Sequence, residues 1–230
     1  MTQPPPEFDN EMWIGPSQME TCIEQRVFMN WRWNYNIGGG QLMDWIGHHG
    51  DIAHWGIGHD ETIGPTEIEG VGEFPPQDAI WNICTKYRIT AKYPGNPEMV
   101  IAGGHGDIKL GVKWIGTDGW LWVSRGNAQE SSNPAWAESR RLPKDQRKVR
   151  LYESNDHYRN FLDCVKTRKR TVAPVEVAHH SAIPGHLGLI AMRLGRKLRW
   201  DAKREAILGD AEASQQLTRS YRAPWKFPIV

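Results

Sequence analysis

Between residues 38 and 58 the chain reads GGGQLMDWIGHHGDIAHWGIG, which places Asp44, His48, Asp51 and Trp55 at successive spacings of four, three and four. On a helix turning about 100° per residue these four share one stripe, while Leu42, Ile46 and Ala53 point the other way. A carboxylate one turn from an imidazole can hold His48 in a defined tautomer and raise its basicity. That is what general acid/base chemistry on a hydroxyl, or beside a carbonyl, requires. Asp44 and His48 are therefore the candidate catalytic residues, and Asp51 joins them as a candidate substrate ligand. Gly39 and Gly40, just ahead, would let a ligand approach the backbone and the helix start. Metal binding is the competing chemistry, with His49, His54 and His59 as further nitrogens. His49 is expected on the opposite side of the helix, however, and neither a His-Glu-x-x-His pattern nor a remote third ligand is present, so no metal is assigned. A capped polar helix without a ligand is the plain structural alternative.

Three more residues are candidate substrate contacts. Arg32 and Trp33 lie in the aromatic stretch VFMNWRWNYN, where ring faces can stack on a pyranose and a guanidinium can donate to hydroxyls. His180 sits in the late segment VEVAHHSAIPGHLGLI. Loop aromatics packing on their own domain and a hydrogen-bonded helix histidine are the alternatives at these positions.

The elements that must position these groups read as α+β: an open, mostly antiparallel sheet with helices packed on one face. Residues 1–11, with three consecutive prolines, read as an extended linker, and 12–230 as one domain. VFMNWRWNYN reads as a loop. A helix is expected from about Gln41 to Trp55, closed by Gly56 and Gly58. IWNICTKYRITAKY alternates with period two, the signature of a half-buried antiparallel strand, with Trp81, Ile83, Tyr87 and Ile89 on the covered side. KLGVKWIGTDGWLWVSRG reads as a hairpin turning at Asp118-Gly119. With TEIEGVGEF and EMVIA these give a meander of five or six strands, whose other face, with Trp120 and Trp122 contributing, is a candidate subunit interface. Residues 126–150 read as a polar, basic surface excursion. Three helices follow: DHYRNFLDCVKTRKR, with Tyr158, Phe161, Leu162 and Val165 on one face; VEVAHHSAIPGHLGLIAMRLGRKLRWD, interrupted at Pro184-Gly185; and AEASQQL, before an extended tail.

The chain has 230 residues, with 28 Lys and Arg against 27 Asp and Glu. A net charge of +1 gives no footprint for nucleic acid or an anionic membrane, so neither is expected as a partner. Three scattered cysteines fit buried thiols in a reducing compartment better than a disulfide framework. No segment reads as a signal peptide or a membrane span, and the chain as given reads as cytoplasmic. Twelve tryptophans fit a carbohydrate-facing or partly open apolar surface as well as ordinary core packing.

The segment GGGQLMDWIGHHGDIAHWGIG resembles the signature of the glucose-fructose oxidoreductase/inositol dehydrogenase/MocA family, in which glycines precede Asp-x-x-x-His-x-x-Asp. Asp44, His48 and Asp51 match those positions in order. PPPEFDNEMWIGP, GTDGWLWVSRG, SNDHYRNFLDCVKTRK, PVEVAHHSAIPGHLGLIAMRLGRKLRWD and RAPWKF resemble the bacterial sugar-oxidoreductase branch, so nearly the whole chain is covered. The resemblance implies a two-domain dehydrogenase in which an N-terminal Rossmann domain holds NAD or NADP. The C-terminal α+β domain would bind the sugar and form the oligomer interface, here through the open sheet face. The residue matching His48 would assist removal of the hydroxyl proton, with Asp44 orienting the substrate or the imidazole.

This sequence departs from that pattern. It has no Gly-x-Gly-x-x-Gly opening a βαβ unit and no Glu-Lys-Pro segment, and His180 stands where this branch would carry arginine. The expected cofactor content is therefore none in this chain, with NAD or NADP only where a Rossmann partner or domain is supplied. Three readings follow. The chain is the sugar-binding and oligomerising domain of an oxidoreductase, without dehydrogenase activity by itself. Alternatively it is a cofactor-independent acid/base enzyme of lyase, hydratase or isomerase type on a keto-sugar, or else a pure sugar-binding or assembly module.

Overall fold

The computed structural model describes residues 4–58, 64–95, 97–126, 128–138 and 141–226. His59 lies outside them. The architecture rests on a five-stranded antiparallel sheet built from β1 (Glu67–Glu73), β2 (Lys86–Lys92), β3 (Glu98–Gly103), β7 (Leu198–Asp201) and β8 (Ala206–Ile207), in the order β3-β2-β1-β7-β8. Alternation decides its two faces. Ile68, Tyr87, Ile89, Ala91, Met99, Leu198 and Trp200 are buried on one side, and Glu67, Glu69, Glu73, Lys86, Arg88 and Lys92 line the other.

The buried face is covered by α6 (Val175–Leu194), which is apolar nearly all round because it is buried on both sides. Small residues let it approach the sheet. A Cβ on Gly188 would stand 2.5 Å from Ile89 Cδ1, and one on Gly72 would stand 2.8 Å from Met192 Sδ. On its far side α6 meets a rod made of α2 (Gly40–Trp45), a π-helical turn (Ile46–Gly50) and α3 (Asp51–Ile57), with Gly185 closing on Met43 and Ile46.

The expected helix is therefore present, but it changes period in the middle, the Asp51 N–H reaching the Ile46 carbonyl in an i→i+5 bond. Gly58, left-handed at φ 74°, ends the rod. Gly56 does not; it lies within α3, where a Cβ would strike the Trp114 indole at 2.3 Å.

Several expectations are corrected. The hairpin β4 (Val112–Gly116) and β5 (Gly119–Val123) does not extend the main sheet but forms a second one with β6 (Gln129–Ser131). Strand pairing between distant segments has no local signature, so one meander could not be told from two sheets. The hairpin loop is Thr117-Asp118, with Gly116 opposite Gly119, so only Gly119 takes a positive φ. Trp122 is buried under the Lys109 ammonium, and Lys113 covers Trp120, so neither lies on the outer face of the main sheet.

β2 starts at Lys86, because residues before it are captured elsewhere. Asn82 donates its N–H to the Trp33 carbonyl and accepts the Tyr35 N–H at 2.7 Å, leaving Ile80 and Trp81 exposed. The stretch before the glycines is not a loop but two 3₁₀ segments, Glu24–Arg26 and Phe28–Trp33. α6 runs through Pro184 without interruption and stops at Gly195, and LRWD is strand β7 rather than helix.

The N-terminal segment becomes helical sooner than expected. α1 (Asn10–Ile14) is capped by Asp9, whose carboxylate accepts the Met12 N–H, and Arg222 of the C-terminal segment bonds to Glu11 at 2.6 Å. Residues 126–150 run over the surface as expected, none of those described being buried, and hold β6, α4 (Pro134–Glu138) and a 3₁₀ turn at Lys144–Gln146. α7 (Ala211–Gln215) is capped by Asp210. In α5 (His157–Thr167) the shared face of Tyr158, Phe161, Leu162 and Val165 is exposed, and Cys164 is buried.

Candidate active site

The rod presents its polar groups by period. Asp44 and His48 are exposed, Asp51 is half-buried, and Leu42 and Ile46 are buried against the core. Asp44 does not hold His48. It accepts instead from the Arg32 guanidinium at 2.6 Å, which the 3₁₀ segment Phe28–Trp33 brings alongside α2. A partly exposed pair of this kind contributes roughly 0–1 kcal/mol, so it can exchange for a ligand at little cost.

His48 has no hydrogen-bond partner among the described residues. Its ring meets Trp45 at a steep angle, with centroids 5.6 Å apart and planes at 66°. His49 is buried where His48 is exposed, and it stacks on the same indole at 4.8 Å and 26°. It is 9% exposed, and its Nε2 is buried without a hydrogen-bond partner, an arrangement that costs roughly 1–3 kcal/mol. Burial, then the Arg125 guanidinium and the neighbouring His48 ring, lower its pKa below the usual 6.5.

His54, one turn further, is fully buried. Its Nδ1–H donates to the Gly50 carbonyl at 2.9 Å, which leaves Nε2 to accept the Tyr93 hydroxyl at 2.5 Å. That histidine is architecture.

The other sequence candidates are placed as follows. Gly39 and Gly40 are required by packing: a Cβ on Gly39 would fall 2.2 Å from Met43 Cγ, and one on Gly40, at φ +64°, 2.0 Å from Ile83 Cγ2. Open space for a ligand is not what those glycines provide. Trp33 is half-buried, its carbonyl taken by Asn82. His180 is half-buried in α6 beside His179, with its Nδ1 buried and unpartnered, and no bond or ring contact links it to Asp44 or His48 among the described residues.

The structure thus joins Arg32 to Asp44 and gathers Trp45, His48 and His49, while Trp33 and His180 stand apart. Trp45 and His49 were missed as site residues, although the i+3 and i+4 spacings from Trp45 were legible. Arg125, which faces His49 from the segment after β5, had no signal in the sequence.

A shallow concavity elsewhere, between Ile14, Cys22, Arg26 and Asn34, is closed by its own bonds. Glu20 accepts from Arg26 and Asn34, and Arg26 also donates to the carbonyls of Ala79 and Ile80. No group of three or more metal-ligating side chains occurs among the described residues. No described helix is long and apolar enough to cross a membrane.

Residues 1–227 match the family described as oxidoreductase family, C-terminal alpha/beta domain, of Gfo/Idh/MocA type. The chain belongs to this family.

Two solved structures share the fold. An aldose-aldose oxidoreductase from Caulobacter crescentus, complexed with glycerol, aligns at 14% identity with a TM-score of 0.51, over 74% of this chain and 51% of that one. An NAD-binding protein from Listeria innocua aligns at 16% identity with a TM-score of 0.52, over 74% and 54%. The chain therefore spans about half the length of these structures. Among curated proteins none matches.

All strand pairings in both sheets are antiparallel, so the described residues contain no βαβ crossover and no crevice at the carboxyl ends of parallel strands.

Proposed function

We propose that this chain is the carbohydrate-binding, acid/base part of a sugar or polyol oxidoreductase, completed by NAD or NADP on a separate or additional Rossmann-type domain. The observation that carries this reading is the Asp44–His48 pair, two solvent-facing groups one helical turn apart in an oxidoreductase-family domain. His48 has both ring nitrogens available to a substrate hydroxyl and takes up its proton. Asp44, once Arg32 yields it, accepts from a neighbouring hydroxyl and fixes the sugar's orientation. Asp51 follows His48 by three residues, just past the π turn, and is half-buried. Without a dinucleotide the chain alone has no acceptor for a hydride, and its own contribution is binding and proton transfer.

The test uses the purified chain with a 3-keto-glucoside and its parent glucoside in D₂O, without nucleotide, alongside Asp44→Asn and His48→Ala. Saturation transfer from protein to sugar that both substitutions weaken, with the sugar chemically unchanged, supports the proposal. Deuterium uptake beside the carbonyl, abolished by both substitutions, would replace it with a cofactor-free acid/base enzyme. Saturation transfer indifferent to both substitutions would remove Asp44 and His48 from the site.

A further inference from the structure

Spacings of three and four from Trp45 set two consecutive histidines against one indole. His48 is exposed and has no hydrogen bond among the described residues, so nothing of that kind selects a rotamer for it. Its ring meets Trp45, whose indole is also stacked on the buried His49. A buried ring has one orientation, set by close packing. An indole stacked on it inherits that constraint, and an imidazole standing at 66° to the indole inherits it in turn.

We propose that His49 is a positioning residue for His48: it fixes the Trp45 indole, and the indole fixes the direction in which His48 presents its ring nitrogens beside Asp44. This rests on the reading of His48 as the group that exchanges a proton with substrate. His49 itself touches no substrate. The role belongs to its flat ring rather than to its nitrogens, so a phenylalanine should perform it and a leucine should not.

The experiment is NMR of the whole chain, labelled with ¹⁵N-histidine and observed without substrate, as wild type, His49→Phe and His49→Leu. In the wild type, nuclear Overhauser contacts should run from the Trp45 indole to both imidazoles, and the His48 Cε1 proton should carry a ring-current shift. His49→Leu should largely abolish that shift and change the His48 tautomer ratio, and His49→Phe should restore both.

A purely structural role predicts something else: His49→Leu would lower the melting temperature and leave the His48 signals where they were, which overturns the proposal. Should the leucine variant not fold, the wild type still decides, because missing contacts from the indole to either ring overturn it equally. Failure of the sugar assay with the ring contacts intact sinks only the assignment of His48 to proton transfer. Lost ring contacts with an active His48 sink only the positioning role.

Discussion

His54 and His48 stand six positions apart on one rod and have opposite lives. Both donors and acceptors of the His54 imidazole are engaged by Gly50 and Tyr93, whose own hydroxyl is held protonated by burial. Tyr93→Phe removes the hydroxyl that Nε2 accepts from and should cost roughly 1–3 kcal/mol. In thermal denaturation that is a fall of roughly 2–4 °C per kcal/mol for a chain of this size. An unchanged melting temperature would mean that this bond contributes nothing.

His49 gives a pH dependence instead. Its pKa in the folded protein is below the 6.5 of the unfolded group, so the unfolded state binds more protons in acid. Stability is fully present above about pH 6.5 and declines as pH falls from there through the folded value. The melting temperature should therefore fall between pH 7 and pH 5, and His49→Phe should flatten part of that slope. Equal slopes in the two proteins would assign the acid sensitivity to other groups.

At the scale of elements, what could be read in the sequence was periodicity. The rod from Gly40 to Ile57, strand β2 with its alternating Tyr87, Ile89 and Ala91, and the helices α5 and α7 all announce themselves in local pattern, though their Asp156 and Asp210 caps do not. The exposure of Asp44 and His48 one turn apart was legible for the same reason. The π turn was not, since an i→i+5 bond has no residue code. The Arg32–Asp44 pair joins a 3₁₀ segment to a helix across the glycines, and the fate of Asp44 could not be foreseen without that approach. β7 was hidden because RKLRWD continues a run of good helix formers beyond Gly195.

Gly40 tests whether the glycines are structural. Gly40→Ala sets a methyl against Ile83 at a positive φ, and should cost roughly 2–3 kcal/mol in chemical denaturation. Wild-type stability in that variant would return Gly40 to the list of ligand-facing residues.

For the whole molecule, the outer face of the main sheet is the surface to explain. Its strands pair Glu73 with Lys86 and Glu67 with Lys92, with Lys197 reaching Glu67 and Glu69, and Val71 and Val100 are exposed among them. We propose this face as the contact between copies of the chain, because rows of acid on β1 beside rows of base on β2 can answer each other across a twofold axis. Val71→Lys should then shift sedimentation toward a smaller species, and a wild type that sediments as a monomer at high concentration removes the idea.

The π turn also has a consequence for how the two sheets are held. Downstream of it, His54 is locked to Tyr93 at the end of β2, and Gly56 is filled by Trp114 of the second sheet. Both engagements depend on the phase at which α3 leaves the turn. A π turn takes in about one residue more than an α turn, so removing one residue there, such as the exposed Gly47, would restore α-helical pitch and leave the phase of α3 nearly as it was. His54 would then keep Tyr93, and the socket at Gly56 would keep Trp114. The π turn thus works as slack in the rod: it stores one extra residue without disturbing the fittings downstream.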